Sequence, residues 1–254
     1  MGDGRRQGIV RWSHAAVKGP LPTVPGFHGP RPGGTSYGIM RDPVPTILAT
    51  ALLALAAPAQ AQGDRSAPPG TVTCVIEAEC LPDLARVARR VGPTLTLTLE
   101  DGSEKALKDN PGACPDVGAG DCATYLLSAY MPASGLILVD FQGHGTGGVL
   151  AVETRDGTSF ELSTQPSFSP SGQLLVSTDD SQGRPYDITI WSRYQGQWID
   201  VLRYSARDPS HEVWGLARWT GDELVTAPVS DATGAPRGEA KVTWDGQGWQ
   251  MQVP

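Results

Sequence analysis

The chain of 254 residues has no excess of basic side chains: 20 Lys and Arg stand against 27 Asp and Glu, a formal net charge of −7. A surface of that sign repels phosphate backbones, so nucleic acid is not an expected partner. No apolar run reaches the ~18 residues that a membrane-spanning helix requires, so no membrane span is expected. Histidine is scarce. Of four, only His144 and His211 lie beyond residue 61, which excludes a three-histidine zinc site there. Residues 62–254 hold no Gly-x-Ser-x-Gly nucleophile elbow, and the cysteines form no Cys-x-x-Cys redox pair. No catalytic residue, metal or cofactor is expected from these absences.

Glycine (31) and proline (22) are abundant instead, the usage of a turn-rich chain. The longest apolar stretch is Ile47-Leu-Ala-Thr-Ala-Leu-Leu-Ala-Leu-Ala-Ala57, followed by Pro58-Ala59-Gln60-Ala61. A short apolar core before an Ala-x-Ala site reads as a secretory signal peptide over 40–61, with Met40 as its start and Ala59 and Ala61 as the small residues at the cleavage site. Residues 1–39, with nine Gly and five Pro and no periodicity, read as a disordered or misassigned upstream extension. Residues 62–70 read as a linker. The leader region takes six basic and two acidic side chains with it, leaving 14 against 25 in residues 62–254. The expected product is therefore an acidic exported protein, periplasmic or secreted, of a bacterial envelope.

All four cysteines lie in the part that would be exported, where pairing is the default chemistry. Three connectivities are possible. The local pairs Cys74–Cys80 and Cys114–Cys122 are favoured because each frames a short turn-like segment. Zinc is the competing reading, and the spacings do not suit it. The cysteines define a disulfide-bearing β region over 71–163. Six tryptophans (191, 198, 214, 219, 244 and 249) define a Trp-rich, propeller-like β region over 164–254.

The apolar spacing of Leu84, Val87, Ala88 and Val91, stopped by Gly92-Pro93, predicts one short helix over Pro82–Val91. Thr94-Leu-Thr-Leu-Thr-Leu-Glu100 alternates strictly and predicts a half-buried strand. Beyond it come short apolar runs separated by Asp-Gly, Gln-Gly and Thr-Gly turns, among them Val213–Trp219 as a single strand. The fold class expected is all-β: antiparallel hairpins in a sandwich or partial propeller-like array. A repeat is detectable. Gly172-Gln-Leu-Leu-Val-Ser177 returns as Gly221-Asp-Glu-Leu-Val-Thr226, and Ser134-Gly-Leu-Ile-Leu-Val139 resembles the same start. The segment Gln165-Pro-Ser-Phe-Ser-Pro-Ser-Gly-Gln-Leu-Leu-Val-Ser-Thr178 resembles the Ser-Pro-Asp-Gly strand-turn-strand signature of TolB-type β-propeller repeats, with Ser171 where that family usually has Asp. The resemblance implies a binding scaffold more than a catalyst.

Gly143-His-Gly-Thr-Gly-Gly148 fits a dinucleotide-loop pattern, but a strand follows it, so a hairpin turn is expected. His144 there could reach Asp140. His211 reads as an exposed connector and Asp179-Asp180-Ser-Gln-Gly183 as a solvated turn. The sharpest constellation is the hairpin 188–204. With Gln195-Gly196 as its turn, Arg193 faces Trp198 and Trp191 faces Asp200. An aromatic, charge-edged face of Trp191, Arg193, Trp198 and Asp200 is then a candidate ligand-binding surface, with His144 as an additional candidate. The expected function is that of a non-catalytic binding or scaffold protein whose partner is an envelope protein or a glycan. The alternatives are a periplasmic hydrolase using His144 and an inhibitor of an envelope hydrolase.

Overall fold

The structure is a computed structural model that describes residues 10–11, 67–114, 122–143, 147–179, 187–205 and 212–254. The chain divides into two units, Met1–Ser13 with Asp64–Pro254, and His14–Gly63; the second lies wholly outside the described residues, as do the signal segment and Ala59 and Ala61.

In chain order, β1 (Val10–Arg11) and β2 (Val72–Thr73) are two-residue strands, and α1 (Glu77–Cys80) is a single helical turn. Four antiparallel sheets follow. The first is β3 (Ala88–Val91), β4 (Thr94–Thr98) and β5 (Glu104–Lys108). The second is β6 (Thr124–Met131), β7 (Leu136–Gln142), β8 (Gly147–Glu153) and β9 (Ser159–Leu162), with β2 on the free side of β6. The third is β10 (Ser167–Phe168), β11 (Leu174–Thr178), β12 (Ile188–Tyr194) and β13 (Gln197–Tyr204). The fourth holds β14 (Val213–Trp214), β15 (Arg218–Thr220), β16 (Leu224–Ser230), β17 (Pro236–Trp244) and β18 (Trp249–Gln252), with β1 on the outside of β18. The protein is all-β and antiparallel, as the alternating short runs predict.

The sheets stack face to face, and side-chain alternation decides which core each residue enters. In β7, Ile137 and Val139 enter a core shared with Leu95 and Leu97 of the first sheet. Leu136 and Leu138, one step out of phase, enter a second core shared with Phe168, Leu175 and Trp191 of the third sheet. In β11, Leu175 serves that second core while Val176 serves a third, with Trp214, Val225 and Val242 of the fourth sheet. The two middle sheets are thus apolar on both faces, which is why β7 reads Leu-Ile-Leu-Val without alternation. The outer face of the fourth sheet carries exposed Arg237, Glu239, Lys241 and Thr243 along β17.

The repeat seen in the sequence has a structural counterpart. Gly135, Gly172 and Gly221 each lie in the turn that leads into the next strand of a meander, with φ of 63°, 68° and 69°. A left-handed residue is required at each of these turns, and glycine adopts it without a Cβ penalty.

Two expectations are corrected. The helix over Pro82–Val91 is not formed. Its first half closes one turn, with Ala88 N–H donating to Leu84 O at 2.9 Å, and Ala88–Val91 then pairs with β4. Gly92-Pro93 is a hairpin turn, not a helix stop. Strand pairing wins because it sends Arg90 inward, where it donates to Glu77 at 2.6 Å, Asp109 at 2.8 Å and the carbonyl of Tyr125. Val91, counted as apolar face, is 68% exposed. The run Val213–Trp219 is split into β14 and β15 because Pro228 of β16 lies opposite and has no N–H for the ladder. The chain bows outward at Gly215–Ala217, and Gly215 N–H donates to Pro228 O at 2.9 Å.

The cysteines are joined as Cys74–Cys80 and Cys114–Cys122. The first bridge ties α1 to the chain beside β6, where Cys74 N–H donates to Ser128 O at 2.8 Å.

Candidate functional site

The hairpin 188–204 has the expected turn and register. Gln195 and Gly196 both take positive φ (51° and 80°), the handedness a two-residue hairpin needs. Arg193 lies opposite Trp198 and Trp191 opposite Asp200. The face they form is not open, however. Trp191 and Trp198 are each 7% exposed and belong to the core between the second and third sheets. Trp191 lies against Phe160, with ring centroids 5.4 Å apart, and Trp198 meets Phe168 edge-on at 6.1 Å. The Trp198 indole N–H donates to Ser134 O at 3.1 Å, and Arg193 donates to Ala133 O at 2.8 Å. Asp200 alone points to solvent, where it ion-pairs with Arg203 at 3.0 Å. A β-bulge between Ile190 and Trp191 separates this half of the hairpin from the strictly core-facing half. The constellation latches two sheets together, because a middle sheet must bury both faces.

Glu153 closes the same seam. It is buried, and one carboxylate oxygen accepts the Trp198 backbone N–H at 3.1 Å. Burial pushes its carboxyl above the ordinary range, against the pull of that hydrogen bond.

A cleft of about 610 Å³ lies between the third and fourth sheets. One wall follows the chain into and through β10, with Gln165, Pro166, Phe168 and Pro170; the other is the bowed segment and β15, with Leu216, Ala217, Arg218 and Trp219. The two short strands leave this side without a continuous ladder. Trp219 bridges them, its indole N–H donating to Ser167 O at 2.9 Å while its ring packs edge-on against Trp249. Thr178 Oγ1 donates to Gly215 O at 3.0 Å and holds the bow from below. Leu216 is 66% exposed, an unusual placement for leucine, and among the described residues Arg218 is the one ionisable side chain on the walls.

At its upper end the cleft reaches Asp140 through Gln165, whose Nε2 donates to Asp140 Oδ1 at 2.7 Å and to Ser128 Oγ at 3.1 Å. Desolvation raises the Asp140 carboxyl, opposed by the hydrogen bonds from Ser128 and Gln165. His144, proposed from sequence to approach Asp140, lies outside the described residues, as do His211 and residues 180–183 of the acidic turn. Among the described residues no group of three or more His, Cys, Asp or Glu is placed to hold a metal ion. Sequence reasoning missed the cleft because its walls come from a Pro-interrupted strand and a linker between sheets, neither of which carries periodicity. The signal available was Pro228 facing a Gly-Leu-Ala run.

No family model matches the chain, and no curated protein is similar to it.

Proposed function

We propose that this chain is an exported, non-catalytic binding module of the bacterial envelope, and that it holds an extended acidic segment of an envelope protein in the cleft between β10 and β15. The observation that carries the reading is the cleft itself: walls of mixed polar and apolar side chains, an exposed Leu216, and Arg218 as the one cation among the described lining residues of a chain with net charge −7. Such a groove suits apolar side chains flanking a carboxylate. Two disulfides support an oxidising compartment, and no helix among the described residues is long and apolar enough to cross a membrane. We also read Gln165–Thr178 as a TolB-type blade turn. In its favour, Phe168 ends β10, Gly172 N–H closes the turn onto Ser169 O at 2.8 Å, and Leu174 opens β11.

The test uses an array of extended peptides graded in charge, followed by titration of the best binder with Trp219 as a fluorescent reporter. Arg218→Ala should weaken binding about tenfold, ~1.4 kcal/mol, and Leu216→Asp at least as much. Binding that is indifferent to peptide charge, or unchanged in both variants, would reject the cleft as the site. Retention on glycan beads alone would replace the peptide with a sugar.

A further inference from the structure

The four sheets treat their edges differently. An exposed strand edge is a template for another chain, and charged side chains on the strand are the common protection. β5 carries Glu104, Lys105 and Lys108; β9 carries Glu161; β13 carries Asp200 and Arg203; β3 carries Arg89 and Arg90. β18 reads Trp-Gln-Met-Gln and has no ionisable residue. It lacks this protection, as does β6 beneath β2, and the strand that covers β18, β1, comes from the region before residue 62. Val10 pairs with Met251 and Arg11 with Gln250, antiparallel.

We infer that β18 is a strand-accepting edge, masked by Val10–Arg11 in the full chain and used, once that segment is gone, to pair with β18 of a second copy. The proposal rests on removal of the leader, part of the export reading above. The geometry of self-pairing follows from the strand. Trp249 and Met251 are buried toward the core, while Gln250 and Gln252 lie on the other face. Residues directly opposite in an antiparallel ladder share a face. A two-fold axis through Gln250 therefore sets Trp249 against the partner copy's Met251 and Gln250 against its own counterpart, and the two fourth sheets continue as one. The strand is neutral, so no like charges meet across the axis. Residue 250 already serves as a pairing position, since Arg11 occupies the place the second Gln250 would take.

Among the described residues the loss of residues 1–61 removes only β1, and every residue of the three cores or packed against them lies between Cys74 and Val253. The chain from Gln62 can therefore be made directly and compared with the full chain by light scattering after size exclusion. The full chain should run as a monomer and the Gln62–Pro254 chain at twice its monomer mass. Gln250→Lys and Gln250→Glu, each on the shorter chain, should be monomeric with unchanged circular dichroism, because like charges would face each other. Mixing the two variants should restore the dimer. A monomeric Gln62–Pro254 chain, or a dimer that ignores both charges, would overturn the proposal. Intact-mass measurement of protein recovered from bacterial cells reports separately on the leader: a retained N-terminus defeats the export reading while leaving the behaviour of the directly made chain to decide the edge.

Discussion

Glu153 shows how one buried carboxyl can be both latch and liability. It holds the Trp198 backbone N–H across the seam between two sheets, yet burial raises its carboxyl above the ordinary value. A raised carboxyl keeps its proton in the folded state over a pH window in which the unfolded chain has lost it. Stability from this group is complete below the unfolded value, about pH 4.3, and is lost as pH rises through the folded value. Glu153→Gln keeps an oxygen for the N–H and removes the charge. Urea midpoints of the two proteins should therefore converge near pH 4 and separate toward pH 7, with the Gln variant the more stable at the upper end. A Gln variant that loses stability by more than ~1 kcal/mol at pH 7 would mean that the carboxylate charge, through Arg155 and Arg193, outweighs its desolvation. Trp198 and Trp191 belong to the same lesson. The residue types and register pointed to a surface, and the surface is filled by the neighbouring sheet.

At the scale of the element, Gly215 is where the cleft is made. A Cβ there would lie 2.7 Å from Pro228 Cγ, closer than side chains tolerate, and the proline ring has little freedom to yield. Gly215→Ala should cost ~1–3 kcal/mol through overpacking, measured by thermal or chemical unfolding, and should push Leu216–Trp219 away from β10. An Ala variant as stable as the parent would show that the bow is not held by this contact. This element also marks where sequence reasoning stops. Ser159–Leu162 and Ile188–Tyr194 are found with the bounds expected, since turns on both sides define them. The hairpin register was readable because Gln195-Gly196 admits one turn type. The break in Val213–Trp219 was not, because its cause is a proline on another strand. The helix over 82–91 failed for a related reason: four apolar residues at helical spacing say nothing of the partner strand that Thr94–Thr98 requires. The cleft lies between two elements and inherits both difficulties.

At the scale of the fold, among the described residues, the four sheets are joined in chain order. Each core joins adjacent sheets: the first with the second, the second with the third, the third with the fourth. In such arrays stability is close to a sum of units and neighbour contacts, so a local loss need not spread. Both disulfides sit at one end. Cys74–Cys80 packs on the first core, and Cys114–Cys122 joins the chain after β5 to the start of β6. Of the tryptophans past residue 190, Trp214, Trp219, Trp244 and Trp249 sit at the other end, in or against the third core, and Trp191 and Trp198 lie between the two middle sheets. Closing loops this short contributes about 2 kcal/mol per bridge. Reduction should therefore lower the hydrogen-exchange protection of Leu95, Leu97 and Ile137 by roughly thirtyfold per bridge. Protection of Val225 and Val242, and the tryptophan fluorescence midpoint in urea, should hardly move. Equal loss at both ends on reduction would instead mean that the four sheets unfold as one cooperative body. In that case the middle sheets, apolar on both faces, transmit the damage along the whole stack.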